Sequence, residues 1–303
     1  MLSTLADPVL PIFAVLAAGY MLNKAGAMDA SHAQAINRFV FYLAAPALGI
    51  AVIGRAAFDT IHWPAVGVYF AAELAVYAAV FALMRFAFKR DLGEALLLGM
   101  TAVFANHVFF VLPIAERSFG AEAAIPMAGI VLIDIAVIFI GSVLLTEIIA
   151  SDNRSLRRTL AGLARNPFVY APPIGLALGA LGATAPSGIW TFLDFTAAAA
   201  APVVLFSLGI TLGTAPIFPV RLPCWSVTMA KLFAVPALAW GGLDAVGPME
   251  PLTRDITLLV AAGPCGAMPY VIATQYNIRT QTIAKTVLLS TVLSLVTLSV
   301  LLP

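Results

Sequence analysis

Long apolar stretches follow one another along the whole chain, and this feature limits the possible folds more than any motif does. A helix that crosses a bilayer needs about 20 mainly apolar residues. Of the 303 residues, 62% are apolar and only 10% are charged, whereas roughly a quarter of the residues in a soluble domain are charged. A soluble globular fold is therefore excluded, and we predict an all-α polytopic membrane protein.

Ten stretches of the chain have the length and hydrophobicity of a transmembrane helix. The start of the chain lacks the basic segment of a cleavable signal, so we expect the first stretch to be retained as a span. The predicted spans are residues 5–22, 35–54, 63–84, 95–115, 123–147, 167–184, 190–213, 222–246, 256–276 and 286–302.

Basic residues predict which side of the membrane each loop occupies, because lysine and arginine are retained on the cytoplasmic side. Eleven of them lie in the loops after odd-numbered spans, and three lie in the loops after even-numbered spans. We therefore expect a multi-pass protein of the cytoplasmic (inner) membrane with both termini outside. The net charge of only +1 argues against nucleic acid as a partner.

The second half of the chain repeats features of the first half at an offset of 156 residues. Four pairs of identical residues coincide there: Pro11 with Pro167, Gly26 with Gly182, Pro46 with Pro202, and Pro113 with Pro269. Each half holds five predicted spans, so the second half enters the membrane from the opposite side. Inverted repeats of this kind recur in secondary transporters. We place the repeats at about residues 5–150 and 166–303 of a single membrane domain, 1–303.

The fourth span of each half contains helix breakers. Span 4 holds Pro113, and span 9 holds Pro264, Gly266 and Pro269. Proline removes a helical hydrogen bond, and in a membrane the freed backbone groups must find partners or line a cavity. The N-terminal end of a half-helix then offers N–H groups that suit a carboxylate. The alternative is that these prolines only kink packed helices.

Polar side chains deep in the predicted spans are the other candidates, because such groups are costly in hydrocarbon. Asn106 and His107 lie in span 4, Glu73 is central in span 3, and Asp134 is central in span 5. Glu73, Asp134 and His107 could carry a proton or bind a coupling ion, or they could only bond to a neighbouring helix. The sequence has no nucleotide-binding, hydrolase or metal-cluster motif, so we expect neither an enzyme nor a cofactor.

Short motifs follow one another in a fixed order along the chain. They are Leu10-Pro11-Ile12-Phe13, Gly19-Tyr20, residues 37–48, Asn166-Pro167, Ala201-Pro202, Ser207-Leu208-Gly209, Gln275-Tyr276 and residues 287–291. From about residue 9 to residue 302, this order resembles the auxin efflux carrier family, which includes the plant PIN carriers and bacterial permeases for malonate and malate.

The resemblance implies a scaffold of spans 1, 2, 6 and 7 and a transport unit of spans 3–5 and 8–10, with broken spans 4 and 9 crossing at the substrate. The span-4 pattern of the family is Asn-Thr-Gly followed by proline, and here His107 and Val108 replace the Thr and Gly. In span 9, Met268 stands where the family often has asparagine. The implied substrate-binding residues are Asn106, His107, Pro113, Pro264, Cys265, Gly266, Met268 and Pro269.

These features predict a secondary transporter that moves a small organic anion by an elevator-like shift of the transport unit. The expected partners are a small carboxylate, the lipid bilayer and a proton or sodium ion, and a homodimer is one assembly left open. One alternative is a sodium–proton exchanger of similar fold, which needs paired acids beside the crossing. Another is a membrane sensor that transports nothing. The sequence names neither the substrate nor the direction of transport.

Overall fold

The computed structural model describes residues 2–56, 59–150, 164–165, 167–182, 186–214 and 219–301. Within these ranges the chain is helical and forms no β-strand; its one β-type feature there is an isolated antiparallel bridge between Ala105 and Cys265. The prediction of an all-α protein is confirmed. The predicted basic loop that holds Arg154, Arg157 and Arg158 lies outside the described residues.

Twelve helices are numbered here in chain order. The first six are α1 (Leu2–Lys24), α2 (Ala30–Gly54), α3 (Trp63–Ala87), α4 (Leu92–Thr101), α5 (Leu112–Phe119) and α6 (Ala121–Ile149). The other six are α7 (Pro167–Leu181), α8 (Ser187–Thr214), α9 (Leu222–Ala245), α10 (Pro251–Ala262), α11 (Met268–Gln275) and α12 (Gln281–Leu301). A π-helical turn, His107–Val111, leads into α5.

Six of these helices, namely α2, α3, α6, α8, α9 and α12, are long and apolar enough to cross a membrane. The apolar stretches in α4 and in α7, Leu92–Thr101 and Val169–Leu181, are shorter. Apolar side chains also cover much of the outer surface, as expected of a chain surrounded by lipid, and Phe86, Phe195 and Val300 are among the most exposed. The arrangement of ten spans in two inverted halves stays a prediction.

In the described part of the chain, three apolar clusters hold the helices together, and the smallest of them joins α1, α8 and α12 through Leu16, Leu212 and Leu288. The largest cluster joins α3, α4, α6, α9 and α10 through buried residues such as Leu97, Ile130 and Leu259. A smaller cluster joins α2, α7 and α8 through Ile50, Ala171 and Leu193.

The contact between α1 and α8 depends on two glycines. A side chain at Gly19 would meet the carbonyl oxygen of Phe206, and one at Gly209 would meet that of Leu16. Close backbone approach at small residues is a common way for membrane helices to associate.

Candidate functional site

Two interruptions of the helices lie side by side in the buried interior. The chain is not helical between the end of α4 at Thr101 and His107, nor between the end of α10 at Ala262 and Met268. The Asn106 N–H donates to the carbonyl of Pro264 at 2.8 Å, and the Gly266 N–H donates to the carbonyl of Phe104 at 2.8 Å. Each interruption thus satisfies backbone groups that the other has freed from helical bonding, as the membrane interior requires.

Glycine permits this close approach. A Cβ atom at Gly266 would lie 3.0 Å from the carbonyl oxygen of Ala105 and 2.9 Å from the Phe104 ring. The second interruption is also fixed to α12, because the Cys265 N–H donates to the Ser290 hydroxyl at 3.1 Å. Both cysteines of the chain, Cys224 and Cys265, are buried free thiols.

The first interruption lies before Pro113 and not at it. Pro113 is in the first turn of α5, where its missing N–H costs no helical hydrogen bond. Asn106 instead precedes the new helical segment, and its carbonyl accepts from Phe110 and Val111. The Asn106 side chain is partly exposed, and it has no hydrogen-bond partner within the described part of the chain. It is therefore free to bind another molecule.

An acidic cluster lies next to the first interruption. His107 Nε2 lies 2.6 Å from Asp134 Oδ2, and the two side chains are 4% and 0% exposed. Glu73 of α3 is close enough to interact with Asp134 and with the Tyr69 hydroxyl. Within the described ranges, both carboxyl groups and His107 Nε2 lack a well-aligned hydrogen bond, although His107 and Asp134 lie in close contact. The arrangement brings three titratable side chains, Glu73, His107 and Asp134, together in the interior.

Lys231 of α9 completes the cluster. Its side chain is fully buried, and its ammonium donates to the carbonyl of Ala261 at 2.8 Å and lies 3.5 Å from that of Val260. It also interacts electrostatically with Glu73 and Asp134. Two acids, one ammonium and one imidazole therefore share a single buried environment.

An open cavity of about 1080 Å³ lies between α1, α2 and α8 on one side and α5 and α6 on the other. It reaches Val108 and Pro113 just beyond the first interruption. Its charged lining residues are all exposed, namely Arg55, Glu116, Arg117, Glu122 and Asp194. The Arg55 guanidinium donates to both carboxylate oxygens of Asp194, at 2.7 and 2.8 Å, so this pair is already neutralised.

A family model described as "Membrane transport protein" matches the chain twice, over residues 4–155 and 151–302. The chain belongs to this family, the auxin efflux carriers. It is a membrane transporter and not an enzyme. The double match covers both halves of this transporter.

Three curated relatives are similar over almost their whole length. The "Putative malonate transporter" of Rhizobium meliloti (strain 1021) is 26% identical over 300 residues, which cover 96% of this chain and 92% of that protein. An "Uncharacterized transporter" of Methanothermobacter thermautotrophicus is 25% identical over 297 residues, covering 96% and 95%. A third, from Methanocaldococcus jannaschii, is 23% identical over 308 residues, covering 97% and 96%.

Apart from Pro113, which lines the cavity, the site residues predicted for this transporter fall into two groups. Glu73, His107 and Asp134 come from three predicted spans and lie together, and Asn106 pairs through its backbone with Pro264. By contrast, Pro264, Cys265, Gly266, Met268 and Pro269 are all buried, so in this conformation their side chains line no open space. The roles of both groups in binding and coupling stay predictions. Within the described ranges, no group of three or more His, Cys, Asp or Glu residues is placed to hold a metal ion.

Lys231 is the residue that sequence reasoning missed. Lys231 lies within predicted span 8, residues 222–246, and the structure buries it completely. The signal was present in the sequence, because a single lysine interrupts an apolar run between Ala230 and Leu232. An ionisable residue inside a span is a functional candidate by default.

Proposed function

We propose that this transporter moves a small organic anion, of the size and charge of a dicarboxylate, past the two paired interruptions. The observation that carries the proposal is the reciprocal backbone pairing of Asn106 with Pro264 and of Gly266 with Phe104. It brings the N-terminal ends of two helical segments, at His107 and Met268, to one place in the interior. Such ends favour anions because of their N–H groups and partial positive charge.

The Asn106 amide supports a polar substrate at this place. It has unused hydrogen-bonding capacity, and an amide N–H₂ group donates to a carboxylate without introducing a buried charge. The relative from Rhizobium meliloti, named for malonate, gives the first substrate to test.

We further propose the ten-span inverted repeat for this fold. The family model matches each half once. At the same offset of 156 residues, Asp134 corresponds to Ser290. Each of these side chains lies at the interruption of its own half, since Asp134 contacts His107, the residue that follows the first interruption, and Ser290 accepts from Cys265 within the second.

An elevator-like movement fits the two larger apolar clusters. The smaller of these belongs to α2, α7 and α8, and the larger one is built mainly from α3, α4, α6, α9 and α10, with Leu205 of α8 also packed in it. The cavity lies between helices of the two sets. We propose that the first set, together with α1, is the scaffold and that the second set carries the substrate.

Uptake into proteoliposomes tests the proposed function. Purified protein is reconstituted, and radiolabelled malonate, succinate and acetate are each offered with and without an imposed pH gradient. We expect saturable uptake of at least one carboxylate, which protein-free liposomes lack. If no carboxylate enters faster than into protein-free liposomes under any gradient, the proposal is wrong.

Sodium–proton exchange is a second candidate, because the structure brings together the paired acids that this activity needs. Glu73 and Asp134 interact beside the first interruption. A pH-sensitive dye inside the same proteoliposomes would reveal exchange as a sodium-driven change of internal pH in the absence of any carboxylate. The nearby Lys231 ammonium favours anion transport over sodium–proton exchange. Its positive charge already offsets part of the negative charge of Glu73 and Asp134 that would otherwise attract a sodium ion.

A further inference from the structure

Lys231 occupies an unusual position at the end of a half-helix. Its ammonium donates to the Ala261 carbonyl at 2.8 Å and lies 3.5 Å from the Val260 carbonyl. These are carbonyls of the last turn of α10, which ends at Ala262 immediately before the second interruption. The carbonyl end of a helix carries partial negative charge and attracts cations.

The groups around the ammonium are those that would surround a bound monovalent cation. Glu73 and Asp134 are fully buried acids whose carboxylate oxygens lack aligned hydrogen bonds within the described ranges. The ionisable groups that interact with Lys231 are Glu73, Asp134 and the Cys265 thiol. In transporters with interrupted helices, half-helix carbonyl ends and unwound carbonyls coordinate sodium or protons at just such positions.

We propose that the Lys231 ammonium is a tethered cation that occupies a monovalent-cation site at the carbonyl end of α10. A lysine ammonium is a compact point charge with three donors, so it can donate to the helix carbonyls while its charge acts on Glu73 and Asp134 through space, without a direct ion pair to either acid. The inference rests on the proposed transport function and deepens it, since it means that this site of the transporter requires no free sodium. Removing the ammonium should open the site to sodium.

Thermal unfolding in different salts tests the inference without any substrate. Wild type, Lys231→Ala and Lys285→Ala are heated in sodium chloride or in choline chloride at equal ionic strength. We expect sodium to raise the Tm of Lys231→Ala in a saturable manner, because a ligand that binds only the folded state stabilises it. The Tm of wild type should be the same in both salts. Lys285 is the matched control, because it also donates to a backbone carbonyl, that of Pro219, but this hydrogen bond is exposed and not buried.

Two results would overturn the inference. One is a saturable sodium-dependent rise in the Tm of wild type. The other is a folded Lys231→Ala protein with the same Tm in both salts. If Lys231→Ala cannot be purified, the double variant Lys231→Ala/Glu73→Gln removes the uncompensated acid together with the ammonium. Its Tm is expected to rise with sodium, and indifference to sodium would count against the tethered cation.

Transport of malonate separates this inference from the proposed function. If wild type transports malonate in choline chloride as fast as in sodium chloride, both are supported. If wild type transports malonate only with sodium, the anion transporter stands and the tethered cation is wrong. If no carboxylate is transported, the proposed function fails, while the Tm of Lys231→Ala still shows whether the cation site exists.

Discussion

At the scale of single residues, the polar side chains in the interior of this transporter differ in exposure. One of them is accessible to a ligand, and the others are buried. The Asn106 amide is partly exposed and has no partner within the described part of the chain. Glu73, His107, Asp134 and Lys231 are buried and face one another. Asn106 is therefore suited to contact a substrate directly. The four buried ionisable residues are suited to interact with a charged substrate electrostatically.

Replacing Asn106 tests the substrate contact. Loss of one hydrogen bond to a charged ligand costs roughly 1–3 kcal/mol, which is on the order of 5- to 150-fold in affinity. Asn106→Ala should therefore weaken malonate binding by that factor, measured by isothermal titration with purified protein. Thr191→Ala is the control, because Thr191 is an exposed residue that bonds within α8. Unchanged affinity in a folded Asn106→Ala protein would exclude the contact.

Replacing His107 tests the response to pH. Imidazole is the side chain whose charge changes most readily between about pH 5 and pH 8. A positive charge at His107, beside Asn106, would favour a bound anion, so we expect malonate affinity to increase from pH 8 to pH 6. His107→Gln should flatten this dependence. If the profile is unaltered in the variant, the histidine is structural, and Glu73 and Asp134 become the groups to examine.

At the scale of elements, the two interruptions differ in how far the sequence predicts them. The second interruption, between α10 and α11, is predictable because it contains the helix breakers Gly263, Pro264 and Gly266, and these act on the local backbone. Residues 102–106 contain neither proline nor glycine, so the first one arises from long-range backbone pairing with residues 264–266 and was misplaced toward Pro113. The sequence marks Lys231 as an ionisable residue inside a span, but it cannot predict that the ammonium meets the carbonyls of Val260 and Ala261, because that contact is also long-range.

The contact of α1 with α8 gives a prediction at this scale. At Gly209 an added methyl group would meet the Leu16 backbone, which cannot rotate away. Overpacking of this kind typically costs 1–3 kcal/mol, so Gly209→Ala should lower the Tm measured in detergent. Gly241→Ala is the matched control in α9, because nothing lies within 4 Å of its added Cβ. An equal Tm for Gly209→Ala and wild type would contradict the close approach.

At the scale of the whole molecule, the distribution of basic residues predicts which loops face the cytoplasm. The exposed Glu122 follows the α5 end, and the exposed Asp91 precedes α4 beside Arg90. Since the more basic loops are retained in the cytoplasm, Asp91 should face inside and Glu122 outside.

Cysteine labelling in whole cells measures this orientation. In a Cys224→Ala/Cys265→Ala background, Glu122→Cys should react with an impermeant thiol reagent, and Asp91→Cys should react only after the cells are opened. The reverse pattern would invert the proposed sidedness, and labelling of both positions in intact cells would exclude the ten-span arrangement.

The bridge between Ala105 and Cys265 has a consequence for how members of this family can diverge. It is made by main-chain atoms, which every residue type except proline at a donor position supplies equally. Substitutions at neighbouring positions such as His107, Val108 and Met268 can therefore accumulate without separating the two segments. Selectivity for different solutes can therefore change over evolution while the two interruptions and the backbone hydrogen bonds between them are retained.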